Sequence, residues 1–226
     1  MFLFIVLSTS ISARENVTLG IPVFPPHSII DELTNQCVGG FVTATKKILA
    51  EYAINVDVVC APPIRIYRLL KNAEVDFIIN IKSTKALPKD IIFVETPFNT
   101  LYLALYTHKN SIEIKNVAAI RGFGYHGFRG KLMGDGYDFF DLPTSTSAIQ
   151  LFLKKRSSHL ISYRSPVEYH IKENNLDIED GVSVLPLLDV RTYYAISAKS
   201  AHLGKLQTAL EDYASKHQLT FFDQAN

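Results

Sequence analysis

Two rhythms of apolar and polar positions alternate along this chain. Residues 17–23 (VTLGIPV) form a β-like apolar run that stops at Phe24-Pro25-Pro26. Over 39–52, Phe41, Thr45, Ile48, Leu49 and Tyr52 recur at helical spacing. Residues 54–60 alternate as a strand ended by Pro62-Pro63, and 64–73 predicts a short helix. The run at 75–81 (VDFIINI) has the continuous apolar character of a parallel strand buried on both faces. This β-α-β-α-β order predicts a parallel sheet with helices on both faces. Strands follow at 91–93 and 101–107, the second long enough to pass from one lobe to another. The rhythm then restarts: strand 117–120, helix 125–133, strand 139–142, helix 145–155, strand 159–163, helix 166–174 and strand 182–188. A strand at 191–198 carries the chain back. A closing helix over 202–217 places Leu203, Leu206, Leu210 and Tyr213 on one stripe. The chain has no repeat, low-complexity tract or Pro/Gly linker, so strands join the two halves. The predicted class is α/β in two lobes, 14–102 with 195–226 as the first and 103–194 as the second.

Composition narrows the functional classes. The 226 residues are 47% hydrophobic, which excludes a disordered chain. Lys and Arg number 23 against 22 Asp and Glu, a balance that argues against a nucleic-acid partner, which requires a basic face. No apolar run is long enough for a spanning helix. Residues 1–13 (MFLFIVLSTSISA) pass from an apolar stretch into small residues, as a secretory signal peptide does. A buried first strand is the competing reading; the polar break Arg14-Glu15-Asn16 favours export. The expected location is the periplasm. Cys37 and Cys60 either pair in an oxidising compartment or remain two thiols. The seven histidines show no metal-ligand spacing, and no cofactor is called for.

In open α/β sheets, ligands bind beyond the carboxyl ends of the strands. Here those ends gather aromatics, hydroxyls and arginines. Phe24, His27, Phe98, Tyr102, Tyr125 and Tyr163 are candidate walls of a cleft, although any one aromatic of this kind more often packs in the core. Arg65 offers a fork of donors, with a surface ion pair as its bland alternative. Thr84 and Arg121 close strand ends. Thr144, Ser145 and Ser147 open a helix, where they cap it and leave N–H groups for an anion. Arg164 precedes Ser165-Pro166, a helix start whose field adds to its charge. The glycine-rich stretch 121–127 (RGFGYHG) reads either as a tight turn or as a close approach of backbone to ligand.

The order of short motifs resembles the extracellular solute-binding proteins of family 3. Pro62-Pro63-Ile64-Arg65 followed by Ala73-Glu74-Val75-Asp76 is similar to that group's P-W-x-R and G-x-x-D stretch. FVETPF at 93–98 is similar to the segment before its first hinge. The second half agrees through Arg121-Gly122-Phe123, the hydroxyl run 144–147 and Tyr163-Arg164-Ser165-Pro166. The resemblance implies a type II periplasmic-binding-protein fold, with two lobes closing about hinge strands. It also implies a monomeric partner of an ABC-type membrane permease or of a membrane sensor. Two departures bear on the ligand. The position where relatives carry an arginine for the ligand carboxylate falls on Leu87. The position of the aspartate for the ligand ammonium falls on Arg164. The expected ligand is a small polar solute, amino-acid-like or an organic acid, held chiefly by Arg65 and Arg164. The alternatives are a periplasmic enzyme of lyase or dehydratase type, using Glu95 and His27, and a sensor-partner protein.

Overall fold

The computed structural model describes residues 14–178, 180–217 and 220–222; the expected signal segment lies outside them. The elements follow in chain order: β1 (Glu15–Pro22), β2 (Ile29–Ile30), β3 (Cys37–Val38), α1 (Gly40–Ala50), β4 (Ile54–Ala61), α2 (Pro63–Lys71), β5 (Phe77–Asn80), β6 (Ile92–Phe93) and β7 (Asn99–His108). Then come β8 (Asn116–Ile120), α3 (Phe128–Gly134), β9 (Asp138–Leu142), α4 (Ser145–Leu153), β10 (His159–Tyr163), α5 (Arg164–Glu173), β11 (Val182–Ile196) and α6 (Leu203–Lys216). No described helix is long and apolar enough to cross a membrane.

One curled sheet runs in the order β4-β1-β5-β11-β7-β10-β8-β9, with β6 on β11. At one end β1 lies parallel between β4 and β5. At the other, β8 lies parallel between β10 and β9. The two ends meet through antiparallel β7 and β11. β11 pairs with β7 over 182–192 and then with β5 over 193–196, so a single strand serves both halves. The pattern predicts two strands here, 182–188 and 191–198. The structure instead has one 15-residue strand with a register shift between Pro186 and Leu188. The irregularity absorbs the proline, which cannot donate to the ladder, and pairing resumes beyond it.

β5 is buried on both faces through Phe77, Ile78 and Ile79, while β1 buries Val17, Leu19 and Ile21 on one face and Gly20 on the other. Gly20 lets α2 sit directly on that strand, because a Cβ there would come within 3.0 Å of Val75 and 3.3 Å of Ile66. Asp76 fixes the approach to β5 by accepting from the Thr18 N–H at 2.7 Å and the Ser200 hydroxyl at 2.6 Å. The disulfide Cys37–Cys60 ties β3 to the end of β4, with Cα atoms 5.6 Å apart. The helix predicted over 125–133 starts only at Phe128. Tyr125, His126 and Gly127 all have positive φ, and they form a single 3₁₀ turn in front of α3.

Candidate functional site

The halves enclose a cavity of about 550 Å³ at the carboxyl ends of β1, β5, β8 and β10. Ile21, Pro22, Phe24 and Ser28 enter from the end of β1, and Ile79, Asn80, Ile81, Ser83, Thr84 and Lys85 from the end of β5. Phe41 of α1 and Tyr67 of α2 complete that side. Opposite stand the turn 122–127 after β8, Arg129 and Met133 of α3, and Tyr163 at the end of β10. Leu101 of β7 and Thr192 of β11 form the floor where the halves join.

The two sides touch directly. Ser83 Oγ lies 3.3 Å from His126 Nδ1, and the Phe24 and Tyr163 rings meet edge to face at 5.7 Å. Gly122 backs onto Ile64 so closely that a Cβ would come within 2.9 Å of the Ile64 Cδ1. Its φ of +80° also favours glycine. Ser28 braces the loop after β1: its hydroxyl donates to the Pro22 carbonyl at 2.6 Å and accepts from the Phe24 N–H at 3.1 Å.

The chemistry of the wall is phenolic. Tyr67, Tyr125 and Tyr163 are all buried. Burial pushes all three phenols up, and Tyr125 and Tyr67 push Tyr163 further. They remain neutral donors at any physiological pH. The Tyr125 hydroxyl accepts from the Ile120 N–H at 2.8 Å, and Tyr67 bonds the Asn80 side chain. Arg129 is drawn into the turn: Nε donates to the Phe123 carbonyl at 2.7 Å, and Nη2 to Ile120 O at 3.1 Å and Asp141 Oδ1 at 2.7 Å. Its guanidinium lies 4.4 Å from the Phe139 ring centre. No carboxylate lines the cavity among the described residues.

Of the sequence-derived candidates, Phe24, Thr84, Tyr125 and Tyr163 line this cavity. Thr84 Oγ1 donates to Asn80 Oδ1 at 2.8 Å. The others lie elsewhere. His27 stacks on Phe41 at 4.3 Å, behind the wall, and burial lowers its pKa to about 4. Phe98 is fully buried against Phe41 and Tyr194. Tyr102 is 49% exposed, because strand alternation turns it away from the side that Leu101 and Leu103 bury.

The guanidinium groups expected to charge the cleft do not line it. Arg65 is on the exposed face of α2, whose inner face is Pro63, Ile66, Tyr67 and Leu70. Arg164 is exposed and pairs along its own helix with Glu168 at 2.9 Å. Arg121 is exposed and donates to the Asp141 carbonyl at 3.3 Å. Thr144, Ser145 and Ser147 sit at the start of α4, outside the cavity. Thr144 and Ser147 close a capping box, so their hydroxyls serve the helix. Leu87 packs against the cluster around Ile66 and Leu70.

Wall residues outside the candidate set include Phe41, Tyr67, Asn80, Lys85, Met133 and Arg129. Tyr67 carried a readable signal: Pro63, Tyr67 and Leu70 share one helical face. His126 and the glycines of 121–127 belong to the stretch noted as either a tight turn or a close backbone approach.

This arrangement of sheet, crossing strands and cleft has counterparts among solved structures. An ancestral arginine-binding protein bound to arginine superposes with a TM-score of 0.75, at 19% identity, over 94% of this chain and 97% of that one. The fold is that of the type II periplasmic binding proteins. A histidine kinase sensor domain with similarity to periplasmic binding proteins has the fold too, with a TM-score of 0.74, at 21% identity, over 94% of this chain and 95% of its own. So does a histidine-bound ABC uptake transporter substrate-binding protein from Streptococcus pneumoniae, with a TM-score of 0.72, at 14% identity, over 89% and 86% of the two chains. No protein-family model matches the chain, and neither does any curated protein sequence. The binding-protein fold therefore rests on geometry, and each motif of the sequence resemblance is short.

Proposed function

We propose that this chain is an exported, monomeric solute-binding protein that closes two lobes on a small molecule and presents it to an ABC-type permease. The lobes are 14–102 with 195–226, and 103–194. The observation that carries the reading is the cavity of about 550 Å³ shared by the two halves, a volume within the range of small-molecule sites. β7 and β11 act as the hinge in this reading. Ligand contact with both walls favours the closed state and shifts a population toward it. Sensor-domain use of the same closure is the second reading, favoured by the sensor-domain fold neighbour. The two differ in the partner that retains the closed form: a permease or a membrane kinase.

An enzyme reading has less support. Glu95 is strongly exposed and paired with Lys82 at 2.7 Å, and His27 lies behind Phe41. Neither reaches the cavity, so the acid–base pair it required is not assembled there.

The test is solution scattering with thermal unfolding, across amino acids, organic acids, peptides, polyamines and sugars. At least one solute is expected to compact the protein and raise its unfolding temperature. No compaction and no shift with any solute would overturn the proposal.

A further inference from the structure

The cavity's donors, and its lack of carboxylates among the described residues, identify a class of ligand; this step rests on the solute-binding reading and deepens it. Tyr163 is 3% exposed and lines the cavity, and its hydroxyl makes no hydrogen bond among the described residues. The hydroxyl opens onto the cavity, where a polar group of a ligand can meet it.

The adjacent turn carries more unused donors. Gly124 is right-handed at φ −86°, and Tyr125 and His126 are left-handed at φ 47° and 54°. A right-handed residue followed by a left-handed one aims successive N–H groups into a common anion-binding hollow. The N–H groups of Gly124, Tyr125 and His126 donate to no group among the described residues. Left-handed tyrosine and histidine are unfavourable on their own. The bond from the Ile120 N–H to the Tyr125 hydroxyl helps hold the turn in this form.

The charged lining is cationic. Lys85 is exposed at the rim and makes no ion pair among the described residues; Arg129 stands in the wall with its guanidinium paired to Asp141 at 2.7 Å. The wall's amide oxygen, Asn80 Oδ1, already accepts from Ile81 N and Thr84 Oγ1. An ammonium group buried here would meet no countercharge. Most of the remaining lining is aromatic or aliphatic, including Phe24, Phe41, Leu101 and Phe123.

We propose that the cavity takes a ring-bearing monocarboxylate without an ammonium group, its ring among Phe24, Phe41 and Phe123 and its carboxylate on the Tyr163 hydroxyl and the 124–126 turn. An α-amino acid fits less well, because its carboxylate would be held while its ammonium was stranded.

Calorimetry on the full chain decides this. The probes are benzoate, phenylacetate, 3-phenylpropanoate and indole-3-acetate, set against 3-phenylpropanamide, L-phenylalanine and L-arginine. At least one ring acid is expected to bind ten-fold or more tightly than both amino acids, and 3-phenylpropanoate more tightly than its amide. Tyr163→Phe is expected to weaken the bound ring acid about ten-fold while the unfolding temperature stays unchanged. If that variant fails to fold, the acid–amide comparison in the unaltered protein decides. An amino acid binding as tightly as the ring acids, or ring acids failing while another solute binds, overturns this inference and leaves the solute-binding reading standing. Failure of every solute in the broad panel overturns both.

Discussion

Ser83 and His126 face each other across the cavity mouth, 3.3 Å from Oγ to Nδ1. Ser83 follows β5 in one half of the sheet and His126 follows β8 in the other, so their contact joins the two halves. In a protein that closes on its ligand, it belongs to the closed state. Ser83→Ala removes one hydrogen bond of about 1 kcal/mol net. Ligand affinity should fall about three- to ten-fold by calorimetry, with little change in the stability of the ligand-free protein. An equal loss of ligand-free stability would place the contact in the resting fold instead.

His27 makes stability depend on pH. Its ring stacks on Phe41 and meets Phe222 edge-on, and burial lowers its pKa from the usual 6.5 to about 4. The unfolded chain therefore binds this proton more tightly than the folded one. The cost is absent above pH 6.5 and grows as pH falls toward 4, reaching on the order of 2 kcal/mol. His27→Phe keeps the stack and removes the proton site. Its unfolding temperature should fall less between pH 7 and pH 4.5 than that of the unaltered protein. Parallel pH curves for the two would show that His27 is not the group responsible.

Tyr125→Phe leaves the buried Ile120 N–H without its partner at 2.8 Å. The expected loss is about 1–3 kcal/mol in denaturant unfolding. The turn 122–127 should exchange its amide protons faster, because Tyr125 and His126 lose the bond that helps hold them left-handed. A variant as stable as the original would contradict this account of the turn.

The Cys37–Cys60 bridge closes a loop with a sequence separation of 23. Replacing both cysteines by Ala should lower stability by about 3 kcal/mol through the entropy of the unfolded chain. Denaturant unfolding with and without reductant checks it, since the double variant should be insensitive to reductant. Ligand affinity should change little, since neither cysteine lines the cavity.

Much of the architecture was legible in the chain. The apolar run of β1 marked a strand, that of β5 a strand buried on both faces, and the break at Pro62-Pro63 separated β4 from α2. The site was legible only as a location, the strand ends. Arg65 and Arg164 drew attention by charge, yet both are exposed. The neighbours Tyr67 and Tyr163 hold the inward positions instead. Moving two residues along a helix, or one residue past the end of a strand, reverses the side a residue faces. A motif of four letters does not carry that phase.

The sequence by itself determined most of the order of strands and helices, because burial period and proline breaks are local properties of the chain; it missed the two-residue strands β2 and β3 and split β11 in two. It also marked 121–127 as either a tight turn or a close approach of backbone to ligand. Tertiary structure alone decided which groups meet in the cleft. Contacts such as Ser83 with His126, Phe24 with Tyr163, and Asp76 with Thr18 and Ser200 join residues far apart in the chain. The phenolic character of the cavity arises from that convergence, since strand register and helix phase select which side chains turn inward.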